Sequence, residues 1–181
     1  MRYVGSRMQR YTAFVETDEV YAANGIHDLD DLKAHAKQVY DQMFPKDAGL
    51  YDDDWTNRKN PLNRFISYHL LPYYGAYNDW TVSGDIKNIC AKTDLIDCTD
   101  WYATMLKGTI MKMSTPSDGL FINRKGVGPR YTVRGTKVLS PSEIGDVDQQ
   151  ALNGIYHYVD QVLDYNQETR DVVFNDRIRI M

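Results

Sequence analysis

An α+β fold is predicted for this chain of 181 residues, on three observations. Helical periodicity is confined to the first half, over Asp28–Phe44 and again after Asn60. From Gly108 onward the pattern changes to short runs rich in β-branched and aromatic residues, bounded by turn residues. Helices come first and strands later, which is not the alternating order of β-α-β units. The length suits one sizeable core, and 43% hydrophobic with 25% charged residues is ordinary for a soluble globular domain. A net charge of -4 with scattered basic residues argues against nucleic acid as a partner.

Taken in order, Tyr11–Val15 reads as a short strand. Thr17 is placed to cap a helix that carries Asp18 and Glu19 at its positive end, and Asn24-Gly25 stops it. Over Asp28–Phe44, residues Leu29, Leu32, Ala36, Val39, Tyr40 and Met43 recur at spacings of three and four. Asp28 is the expected cap and Pro45 ends the run. Lys46 to Asn60 is polar and irregular, a loop. Asn60-Pro61 opens a further helix, with Leu62, Phe65, Ile66 and His69 on its apolar face and Pro72 closing it.

Tyr73 to Leu95 shows no clear period. Thr99–Leu106 is expected to be a short helix capped by Thr99. Thr109–Met113 and Leu120–Asn123 flank Pro-Ser-Asp-Gly and predict a hairpin, with more strand text at Tyr131–Val133 and Lys137–Leu139. Asn153-Gly154 predicts a turn, because glycine accepts positive φ, and a strand follows it. In that strand Ile155, His157 and Val159 share one face, and Tyr156, Tyr158 and Asp160 the other. Large side chains on both faces predict a central strand. Arg177–Met181 alternates like a strand and stops, so the chain is expected to be part of a longer multidomain protein. Met1–Arg7 lacks the apolar run of a secretory signal, and no later run is long enough to span a bilayer.

Candidates for chemistry are few. His69 and His157 are expected to be buried neutral imidazoles bonded to backbone carbonyls, and His27 and His35 to sit near helix starts or exposed turns. Asp52-Asp53-Asp54 lacks the alternation and the glycine of a calcium loop and reads as solvated. Lys125–Pro129 reads as a turn, not a phosphate cradle. No serine nucleophile motif occurs, and no catalytic, metal or cofactor constellation is expected. Cys90 and Cys98 leave both a bridge and two separate thiols open. Tyr73, Tyr74, Tyr77 and Trp80 cluster after the second long helix, either covering a core or forming an exposed platform for a protein or a sugar ring.

Three segments carry a family resemblance, in order. Thr12–Tyr21, with its Thr17-Asp18-Glu19, resembles the first signature of the fasciclin domain, although Glu16 stands where that family usually has proline. Phe65–Pro72, with its Tyr68-His69 pair, is similar to the middle signature, and Asn153–Leu163 to the last. Together they span about residues 10–165. Two features depart from the family: few residues precede the first signature, where helices usually stand, and the loop from Lys46 to Asn60 is long. The resemblance implies a wedge-shaped β-sandwich with helices packed along one side. It also implies a non-catalytic adhesion or protein-recognition domain, extracellular or in a bacterial cell envelope, held at a membrane only by an anchor outside this chain. The implied partner is a protein or extracellular-matrix component, and the implied contact maps to Tyr68 and His69. A carbohydrate-binding module using Tyr73, Tyr74, Tyr77 and Trp80 is the alternative.

Overall fold

Thr12, Phe14 and Glu16 are buried on strand β1 (Tyr11–Glu16), while the residues between them are half-buried, and this period of two sets one face of the sheet inward. The computed structural model describes residues 10–80, 98–116, 119–127, 130–145 and 150–178. Helices α1 (Asp18–Ala23), α2 (Leu29–Met43) and α3 (Pro61–Tyr68) follow, then strand β2 (Leu70–Leu71) and the short helix α4 (Tyr77–Trp80). Strands β3 (Cys98–Ala103), β4 (Ile110–Thr115), β5 (Leu120–Ile122), β6 (Lys125–Val127), β7 (Arg130–Val133) and β8 (Thr136–Val138) come next. The chain continues with α5 (Pro141–Ile144), β9 (Gln150–Ala151), β10 (Gly154–Val159) and α6 (Gln167–Ile178). Helices and strands are mixed in the manner of the α+β class.

One eight-stranded sheet runs in the order β2-β1-β10-β8-β5-β4-β3, with β9 also paired to β10, and β6 and β7 form a separate ribbon. β10 is parallel to β1 and antiparallel to β8, a central strand as expected. Its inward face, Ile155, His157 and Val159, is buried, whereas Tyr156 and Tyr158 opposite are only half-buried. The parallel register sets Phe14 beside His157 and Glu16 beside Val159. Gly154 serves a purpose other than a turn. It has no positive φ, but a Cβ there would stand 2.1 Å from the Tyr11 carbonyl oxygen, so only glycine lets β1 and β10 pair.

The helix caps follow the sequence. Thr17 Oγ1 accepts from the Val20 amide, Asp28 from those of Asp30 and Asp31, and Asn60 from that of Asn63, with Pro61 in the first turn. The buried stripe of α3 is Pro61, Arg64, Phe65 and Tyr68, one position off the expected set, and Ile66 is exposed. α3 ends at Tyr68, ahead of Pro72, because Leu70 and Leu71 leave to pair with Ala13 and Thr12. On α2, Leu29 is exposed, while Ala36 and Tyr40 join the core with Phe14, Phe65, Tyr68 and Leu163.

Three expected elements are different. Thr99 lies in β3, where Cys98–Ala103 pairs with Ile110–Thr115, so cross-strand pairing overrides the local capping signal. Of the turn expected over Lys125–Pro129, Lys125–Val127 is strand β6, and residues 128 and 129 lie outside the described residues. Arg177 and Ile178 belong to helix α6, whose Val172 and Val173 are buried. The β4–β5 hairpin forms as expected, although residues 117 and 118 of its turn lie outside the described residues, as does Cys90. No helix among the described residues is long and apolar enough to cross a membrane.

Candidate functional site

Three segments far apart in sequence meet on the Glu16 carboxylate. Glu16 Oε1 accepts from His69 Nε2 at 2.9 Å and from the Leu163 amide at 2.8 Å. Oε2 accepts from the Tyr21 hydroxyl at 3.0 Å. β1 supplies Glu16 because it shares parity with Phe14, and the end of α3 supplies His69, whose carbonyl also accepts from the Phe14 amide. The Glu16 and His69 side chains are only 1% and 7% exposed.

His69 is buried and bonded to a backbone carbonyl as expected, and a carboxylate joins it. Its Nδ1 donates to the Phe65 carbonyl at 2.8 Å, and its Nε2 faces the Glu16 carboxylate. Burial pushes this imidazole down, but the charge and hydrogen bond of Glu16, with the Phe65 carbonyl, hold it above its ordinary value. Burial likewise pushes the Glu16 carboxyl up, and His69, the Leu163 amide and the Tyr21 hydroxyl hold it below the usual range. The two directions agree on a buried ion pair.

His35 is no exposed helix start. It lies mid-way along α2, and its Nε2 is 3.0 Å from both oxygens of Asp164. That hydrogen bond outweighs burial and raises its proton affinity. His157 matches the expectation: Nε2 donates to the Gly75 carbonyl at 2.8 Å, and burial keeps it neutral.

The six residues singled out as interaction candidates do not share one surface. Tyr68 is fully buried, its hydroxyl accepting from Asn123 Nδ2, and His69 is 5% exposed. Trp80 points inward, with its indole nitrogen donating to the Gly75 carbonyl and its ring against Tyr73 and Tyr102. Tyr73 and Tyr77 are half-buried around the same core. Tyr74 is the one exposed ring of the six, with the Arg10 guanidinium 5.7 Å from its centroid. Tyr68, His69 and Trp80 thus hold the fold and offer no ring face to a partner. Sequence reasoning overlooked Glu16 as the partner of His69; its even spacing from Thr12 and Phe14 was the available signal.

Among the described residues no group of three or more His, Cys, Asp or Glu side chains is arranged to hold a metal ion. No family model matches this chain, and no curated protein matches it.

Proposed function

We propose that this chain is a non-catalytic recognition domain of the fasciclin type, acting in adhesion outside the cell or in a bacterial envelope. The observation that carries the reading is that the three resembling segments pack into one core: Phe14 from the first, Phe65 and Tyr68 from the middle, and Val159 and Leu163 from the last. The carboxylate that joins them is this chain's own feature, because Glu16 stands where the family usually has proline. On this reading the mixed sheet and its helices adopt the fasciclin wedge, and the histidines are structural. The partner is a protein or matrix component. Because Tyr68 and His69 are buried, contact through the middle segment and the residues just after it runs through Ile66 and Tyr74, which are 49% and 37% exposed.

The test is biolayer interferometry of the chain on immobilised matrix proteins, including collagen, fibronectin and laminin. At least one should give saturable binding, weakened roughly tenfold by Ile66→Asp or Tyr74→Ala with unchanged melting temperature. Absence of binding up to about 100 μM, or binding indifferent to both substitutions, overturns the reading.

A further inference from the structure

A second site lies where the fold has spent polar bonds on an irregular segment. The loop from residue 46 to residue 60 is closed by successive backbone turns: Asp47 to Phe44, Leu50 to Asp47, Asp54 to Tyr51, Asn57 to Asp54 and Asn60 to Asn57. The Asn60 side-chain amide donates to the carbonyls of Tyr51 and Asp52, and the Asn63 amide to that of Trp55, at 2.8, 3.0 and 3.0 Å. Asp47 is bound by both Lys59 and Arg64. The loop backbone is thus pinned to α3, yet it carries an indole that the core does not use: Trp55 is 59% exposed, against 7% for Trp80.

Trp55 forms one wall of a cleft of about 350 Å³ between this loop and α2, and Lys33, Lys37, Asp52, Asp53 and Leu62 are among its other walls. Its size suits a small ligand. Its charge says which kind. The two lysines and two aspartates cancel, and Lys37 is paired with Asp41 and Asp52, and Lys33 with Asp30. An anion would meet the aspartates and a cation the lysines, while a purely apolar ligand would strand all four from water. Lys33 Nζ stands 5.1 Å from the centre of the Trp55 ring, so a ligand that stacks on this π-face takes the place of the lysine, whose ammonium is also paired with Asp30.

We infer that the cleft binds a neutral pyranose unit of a glycan. The polarised C–H face of the sugar ring stacks on the Trp55 indole, and its hydroxyls donate to Asp52 and Asp53 and accept from Lys37. A pinned loop keeps the ordering cost of binding small. This site is distinct from the Tyr73–Trp80 cluster and does not depend on the fasciclin reading.

The experiment uses the intact chain, with acrylamide quenching of tryptophan fluorescence and titration calorimetry as readouts. One arm offers soluble neutral oligosaccharides of glucose, galactose and mannose; a second offers a desialylated N-glycoprotein; a proline-rich peptide is the third. Saturable binding in either saccharide arm, with Trp55 protected from quencher, is expected, and the responding arm tells free polymer from protein-borne glycan. Trp55→Ala should weaken it at least roughly tenfold and Trp55→Phe less, both without change in melting temperature because the ring is exposed. Three results overturn the inference: no saccharide binding at about 10 mM, saccharide binding unaffected by Trp55→Ala, or Trp55-dependent binding of the peptide alone.

Discussion

Replacing Glu16 by alanine removes the acceptor that ties the three segments together. With side chains 1% and 7% exposed, the pair is screened little by solvent. Alanine leaves the His69 imidazolium, the Leu163 amide and the Tyr21 hydroxyl without their partner. Breaking a buried pair from one side costs about 3–5 kcal/mol. His69 can shed its Nε2 proton, which holds the cost toward the lower end. For a chain of this size that is a fall in melting temperature of roughly 6–20 °C. Urea unfolding at fixed pH, with the slope checked for constancy, gives the free energy directly.

The same pair makes a signed pH prediction. His69 and His35 have folded affinities raised above the usual histidine value of about 6.5. Their stabilisation is complete below that value and is lost as the pH rises through the raised one. Glu16 is lowered, so its contribution is present above the usual glutamate range and lost as the pH falls through its lowered value. His157 is lowered too, and its neutral burial costs stability as the pH falls below about 6.5. Wild-type stability should therefore peak in the mildly acidic range and decline toward pH 9. In Glu16→Gln, which keeps an acceptor but no charge, the alkaline decline should shrink to the part carried by His35. Equal stability of Glu16→Ala and wild type, or an unchanged alkaline slope in Glu16→Gln, refutes the ion pair.

Two further outcomes are expected. Gly154→Ala sets a Cβ against the Tyr11 carbonyl and should cost about 3 kcal/mol or more by urea unfolding; Gly25→Ala, at positive φ but with open space around it, should cost about 1 kcal/mol. Asn60→Ala loses a helix cap and two loop hydrogen bonds, about 2–3 kcal/mol in all, and should speed hydrogen exchange of the amides over residues 51–57.

Sequence alone determined what depends on neighbours along the chain. Thr17, Asp28 and Asn60 cap their helices because the orphan amides lie two or three residues away, and β1, β4, β5 and β10 show in their composition and turns. Only the tertiary structure decided what depends on a distant partner. Thr99 caps no helix because β4 offers a full ladder, and α3 yields two residues to β2 because β1 is there to pair with them. The proton affinity of His69 is raised chiefly because Glu16, fifty-three positions away, is buried against it. Trp80 and Trp55 are both aromatic residues in polar, irregular text, and nothing local separates them. One finds the Gly75 carbonyl and two tyrosine rings; the other is held out in solvent by a loop tied to α3 through its backbone carbonyls and the Asp47 carboxylate. Burial is a property of the whole packed chain, so the residues that hold the fold and those that face a ligand could be told apart only once it was closed.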